Sequence, residues 1–199
     1  MQPLGLGVLE KYQVNIPGKV EELAWTLFDY QDYAAAGVAS QRFFQTPEGQ
    51  SGKTLGDTNM QFAGSIPAGQ FFLIQSIEVD FQPLAANIGG ASLYLDDVEA
   101  VALNGALQLN IGSKPYEKNA PLGAFPCSFR LAGFAAAAGA EAANEILTFA
   151  KNAGRIREIV PLGLVSTQNF DVTLTELPAV SVLSRIGVRL NGRLFRNAQ

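Results

Sequence analysis

From about residue 54 onward, apolar and polar residues alternate with a period of two, the spacing that turns one face of a strand to a core and the other to water. In the run from Phe71 to Gln82, Phe71, Leu73, Ile77, Val79 and Phe81 share one face, and Ser76, Glu78, Asp80 and Gln82 form a wet one. Phe72 and Ile74 make the first half of that run apolar on both sides. Leu107, Leu109 and Ile111 alternate with Gln108 and Asn110, and Phe170, Val172 and Leu174 with Asn169, Asp171, Thr173 and Thr175. Near the end, Ile186, Val188, Leu190 and Leu194 alternate with Arg185, Arg189, Asn191 and Arg193. Shorter strand candidates are 58–63, 92–95, 128–133 and 156–165. Turn signals at Ile66-Pro67-Ala68-Gly69, Asn87-Ile88-Gly89-Gly90, Asn104-Gly105 and Pro161-Leu162-Gly163 separate them. About eight short strands with Gly and Pro between them predict an all-β sandwich or barrel.

The first forty residues read differently. Tyr12 to Ile16 alternates like a short strand and stops at Pro17-Gly18. Val20, Leu23, Ala24, Leu27 and Phe28 then recur at helical spacing, with Glu21 and Glu22 where a first turn favours acids. This predicts an amphipathic helix over 19–33, although a strand through Leu23, Trp25 and Leu27 fits the residues almost as well. Pro47 to Gly52 is loop. The expected organisation is an N-terminal arm over 1–40 and a β domain over 41–199. A second helix is expected at 140–152, where alanines lead into Ile146, Phe149 and Ala150 and Gly154 stands ready as a cap.

Composition narrows the function. Only 16% of the 199 residues are charged, 48% are hydrophobic and there is no histidine, against about a quarter charged in an average domain. Mean hydropathy is +0.14. Such a chain is expected to cover part of its surface with partners. Net charge is −4, which opposes indiscriminate nucleic-acid binding. No stretch reaches the ~18 apolar residues of a membrane span. The start carries no basic region followed by an apolar run, so a cytoplasmic site of synthesis is expected. The single cysteine, Cys127, has no partner for an internal disulfide and is expected to be buried.

Without histidine, Ser-His and Cys-His nucleophiles and His-ligated metals are excluded. Gly52-Lys53-Thr54 lacks the preceding glycine of a phosphate loop, since Pro47 stands there. Asp96, Asp97 and Glu99 cluster without calcium-loop spacing, and Asp97 is expected to cap a helix. Neither catalysis nor a cofactor or metal is expected. The arginines stand out instead. Arg185, Arg189 and Arg193 lie four apart, on one face of the final strand, with Arg196 on the other. Arginine favours fixed, forked contacts, so these four, with Trp25 and Phe28, are the candidate subunit-interface residues. A solvent-exposed strand face is the plainer reading. On the interface reading, Arg189→Glu is expected to fold but not to assemble.

Four phrases carry a family resemblance: Asp57 to Met60, Gly64 to Ile74, Ile111 to Tyr116, and Pro161 to Val172. Over about 55–196 the chain resembles the single jelly-roll capsid proteins of tailless icosahedral bacteriophages of the internal-membrane lineage. The resemblance implies an eight-stranded jelly roll whose copies associate into capsomers and a closed shell, hence a virion protein. Copies of itself are the expected partners, with other virion proteins, and a lipid membrane or genome beneath the shell, as further ones. No small-molecule substrate and no active site are carried over, and the forty-residue arm has no counterpart. Alternatives are a minor virion protein at a vertex or spike base, and a carbohydrate-binding β-sandwich.

Overall fold

A computed structural model of the chain describes residues 4–83, 93–125, 134–136, 146–148, 158–180 and 183–198. Helix α1 (Leu4–Lys11) precedes strands β1 (Val20–Tyr33), β2 (Val38–Phe43) and β3 (Gln70–Pro83). Helix α2 (Leu93–Asn104) leads into β4 (Ala106–Ile111) and β5 (Lys114–Pro121). After β6 (Phe134–Ala136) and β7 (Ile146–Thr148) come β8 (Glu158–Val165), β9 (Phe170–Leu177) and β10 (Ser184–Asn197). Eight of these strands form two four-stranded sheets, in the orders β1-β10-β3-β8 and β2-β9-β4-β5. Every pairing is antiparallel.

The protein is therefore an all-β sandwich, as the period-two pattern predicts. Ile186, Val188 and Leu190 of β10 face inward beside Phe72, Ile74, Ile77, Val79 and Phe81 of β3. Leu107, Leu109 and Ile111 of β4 and Phe170, Val172 and Leu174 of β9 meet them from the second sheet. Each such side chain contributes roughly 1.5–3 kcal/mol on leaving water. The pairings nest. With the short β6–β7 pair set aside, first joins last (β1–β10), second joins second-last (β2–β9), then β3–β8 and β4–β5. The β10–β3 and β9–β4 ladders close each sheet.

Several expectations are corrected. Residues 20–33 form a strand, not a helix, because β1 runs against β10 without a break from Val20↔Asn197 to Tyr33↔Ser184. The acids that imitated a helix N-terminus instead face arginines across the ladder, Glu21 to Arg196 and Glu22 to Arg193. With β1 and β2 inside the sheets, the arm shrinks from 1–40 to the residues before β1. Within it, Leu4–Lys11 is helical and the strand expected over Tyr12 to Ile16 is absent, 12–13 being turn and 14–16 irregular, with Leu9 and Ile16 packed onto the first sheet. Asp97 lies buried inside α2, not at its cap, and the described part of the 92–95 strand candidate, 93–95, belongs to that helix, which places Val101 in the core. Residues 58–63 make only isolated bridges, at Thr58 and Phe62. Pro161-Leu162-Gly163 is not a turn but part of β8, an edge strand, where proline removes no ladder bond that a second neighbour needs. Of the helix expected at 140–152, residues 146–148 are described and are strand, their backbone groups satisfied by Phe134–Ala136. Cys127, the 128–133 candidate and the 87–90 turn lie outside the described residues.

The free edge of β1 is covered from Thr26 to Tyr30 by the loop that joins the sheets. Tyr30 N donates to Asp57 O (2.7 Å), and Thr58 Oγ1 donates to Phe28 O (3.0 Å). The Asn59 amide accepts from Phe28 N and donates to Thr26 O (3.0 and 2.7 Å). A side chain thus imitates a strand and removes the edge from aggregation.

Tyr33, at the end of β1, is buried with its ring edge-on to Phe81 and its hydroxyl donating to Pro178 O. Burial first, and the Asp97 charge second, push its phenol up to about 12 from 10.0. A pKa raised by folding means that the neutral form is favoured in the fold. The associated stability is complete below pH 10 and is lost as pH climbs from about 10 through about 12. Urea midpoints at pH 9 and pH 11 are expected to fall further for the parent chain than for Tyr33→Phe. Equal falls would remove Tyr33 as the source.

Candidate functional site

The site begins with a bulge. Asn191 of β10 faces Ser76, but Gly192 faces Ile74, so Gln75 is an extra residue on β3. One inserted residue exchanges the faces of everything beyond it. Phe71 and Leu73 therefore share the outer face with Ser76, Glu78 and Asp80, while Ile77, Val79 and Phe81 join Phe72 and Ile74 inside. Alternation read straight through the run assigns Phe71 and Leu73 to the wrong side.

The outer face of the first sheet is thus divided. At one end Phe71, Leu73 and Phe195 form an apolar patch under Leu9, Ile16 and Tyr12 of the N-terminal segment. Phe71 stacks obliquely on Tyr12 and Phe195 at 5.3 and 5.7 Å, and Tyr12 Oη donates to Pro161 O. Burial raises the Tyr12 phenol.

At the other end lies a polar network. Tyr30 Oη donates to Asp80 Oδ2 (3.1 Å) and accepts from Arg189 Nε (2.8 Å), while Arg189 Nη2 stands 3.5 Å from the same carboxylate. Burial, then the Asp80 charge, push the Tyr30 phenol far above its ordinary value. Asn191 Nδ2 donates to Glu78 Oε1 (2.5 Å) and Ser76 Oγ (3.3 Å), and Thr26 Oγ1 donates to Asn191 Oδ1 (2.8 Å). The Arg185 guanidinium lies 4.4 Å over the Tyr30 ring and donates to Gly56 O and Asp57 Oδ1, both at 2.6 Å. The Thr54 backbone N–H, then its hydroxyl, hold the Asp57 carboxyl below the ordinary value, and Arg185 and Lys53 add to this. Glu78 and Asp80 are only 2% and 1% exposed, so the expected wet face is buried. Buried carboxylates persist only when hydrogen-bonded or paired, and here Asp80 pairs with Arg189 while Glu78 accepts from Asn191.

Two hollows open over this network and meet at Thr26 and Asn191. The first, about 780 Å³, is lined by Trp25, Asn59, Gln75, Glu158, Ile159 and Pro161. The second, about 560 Å³, is bounded by Phe28, Tyr30, Leu55, Gln82, Arg185 and Arg189. The structure brings four of the six sequence-derived residues here: Trp25, Phe28, Arg185 and Arg189. Arg193 lies further along the same face against Glu22 (2.6 Å), and Arg196 pairs with Glu21 on the other. All four arginines have carboxylate partners within this chain. Arg189→Glu is consequently no clean test of assembly, because it would set a third carboxylate beside Asp80 and Glu78 at the centre of the sheet.

Tyr30, Ser76, Glu78, Asp80 and Asn59 were not singled out by sequence reasoning. Charges alternating with apolar residues mark a solvated face unless something covers it, and the cover comes from β1, β10 and the 54–59 loop. No protein-family model matches the chain, and no curated protein or solved structure matches it either.

Proposed function

We propose that this chain is a coat subunit with a jelly-roll body, which assembles with copies of itself into the icosahedral shell of a virion. The nested strand pairing carries the reading. An eight-stranded antiparallel ribbon, rolled so that first meets last and fourth meets fifth, supports a jelly roll, an architecture that viral capsid domains use. The sparse charge and the apolar side chains left outside support it. Val160 on edge strand β8 is 79% exposed, and Leu103, Leu55, Phe62 and Tyr116 are exposed at other points around the body. Subunit interfaces take up apolar surface of this kind. The arginine–carboxylate pairs Arg193–Glu22 and Arg196–Glu21 then form polar rims. The role is mechanical and calls for no cofactor.

Sedimentation velocity with negative-stain microscopy of the purified chain is expected to show rings, sheets or closed shells. Val160→Glu is expected to lower the assembled fraction severalfold with an unchanged melting curve. A chain that sediments as a monomer under every salt and pH condition overturns the reading.

A further inference from the structure

The segment before β1 and the face it lies on are two matched parts. Tyr12 N, Gln13 N and Val14 N donate to the carbonyls of Val8, Glu10 and Leu9 (3.2, 3.1 and 2.9 Å), so these backbone bonds travel with the segment. Leu9, Tyr12 and Ile16 meet Phe71, Leu73 and Phe195 in an apolar cluster separate from the one between the sheets. The seat is shaped for them. A Cβ on Gly163 of β8 would stand 2.8 Å from the Tyr12 ring and 2.7 Å from that of Phe71, and Pro161 O accepts from Tyr12 Oη. Lifting the segment would leave the sandwich core closed but would bare Phe71, Leu73 and Phe195, which are at most 5% exposed. Burial of large apolar side chains favours a covered seat. The helix α1 has eight residues, too few to persist free in water. Segment and seat need each other, but they need not belong to one copy.

The joint allows either arrangement. Lys19 O is fixed by Ala198 N (2.7 Å), where β1 begins its ladder with β10. Gly18 takes φ +87° where the chain turns onto the sheet, and glycine populates negative φ about as readily. A change at this one residue sends the segment outward. Every copy carries an identical segment and an identical seat, so what fits within one chain fits equally across a two-fold axis. From Ile16 to Lys19 the chain spans at most about 11 Å, which requires the starts of β1 in two copies to lie side by side. We propose that residues 4–16 exchange between two copies of this chain, each segment seated on the Phe71–Leu73–Phe195 face of the other. The inference deepens the coat-subunit reading and rests on its claim that copies associate.

In the full chain, Tyr12→p-azidophenylalanine sets a photoreactive ring against Phe71 and Gly163. Light and isotopically heavy chains are mixed in urea, refolded together over a range of concentrations and irradiated, while sedimentation velocity reports their association. Peptides that join residue 12 to the strand of Phe71 or of Gly163 are expected to include light–heavy hybrids wherever chains associate. Gly18→Val disfavours the positive φ of the bend, so it is expected to lower the concentration at which hybrids appear at least about fivefold. Its melting curve confirms that it folds. Associated chains whose peptides are all light–light or heavy–heavy overturn the exchange and leave the coat-subunit reading standing. An unchanged hybrid onset in folded Gly18→Val overturns it as well. Hybrid dimers that grow no further support the exchange and overturn the shell. Monomers without hybrids at every concentration overturn both.

Discussion

Gly192→Ala is expected to leave little folded protein, or to lower the melting temperature by about 10–20 °C, equivalent to a loss above about 4 kcal/mol. A Cβ at this position would stand 1.8 Å from the Leu73 carbonyl oxygen and 2.8 Å from its carbon. Those atoms are backbone in β3, fixed on one side by β10 and on the other by β8, so no rotamer change relieves the clash. The bulge brings β3 this close, and the bulge also assigns Phe71 and Leu73 to the outer face. Restoring space by ironing it out would turn Glu78 and Asp80 toward the core. Gly7→Ala is the matched control. Nothing lies within 4 Å of a Cβ on Gly7, which is exposed in α1, and alanine there is expected to stabilise by roughly 0.5–1 kcal/mol. Thermal unfolding followed by circular dichroism distinguishes the two. Similar melting temperatures for both would mean that the strands tolerate separation at the bulge.

Asp29→Ala is expected to cost about 3–5 kcal/mol in urea unfolding, the usual loss when one partner of a buried ion pair is removed. The Asp29 side chain is fully buried and pairs with Lys53, itself only 13% exposed. It also accepts from Phe44 N at 2.6 Å and from Gln31 Nε2 at 3.4 Å. Phe44 has φ +68°, a region that bulky residues avoid. Its N–H aimed at Asp29, its carbonyl accepting from Gly64 N (2.6 Å) and its ring against Phe170 hold it there. Alanine at 29 therefore strands an ammonium and an N–H together, and frees the loop that covers the edge of β1. Asp29→Asn combined with Lys53→Met removes both charges and keeps an acceptor for Phe44. It is expected to be more stable than Asp29→Asn alone, a coupling that a double-mutant cycle measures. A single-variant cost below about 1 kcal/mol, as for a surface pair, would show that the site is wet. Lys53, in a tripeptide without phosphate-loop spacing, thus has a structural task.

What the residues alone determined was the all-β class, the strands β3, β4, β9 and β10, and the parity that puts Arg185, Arg189 and Arg193 on one face. Period-two alternation is local, and a half-buried strand prints it directly into the chain. Three things were decided only when distant segments met. Residues 20–33 carry a pattern compatible with helix or strand, and the fourteen-residue ladder with β10 chose between them. The faces of β3 exchange at Gln75 because its register is set by β10 and interrupted beside Gly192, which no window along β3 contains. Glu78 and Asp80 look solvated in sequence and are buried in the fold, because Tyr30, Arg189 and Asn191 arrive from strands about fifty and a hundred and ten residues away. Alternation states which residues can share a face; only the register of paired strands, and what lies over them, states which face is inside.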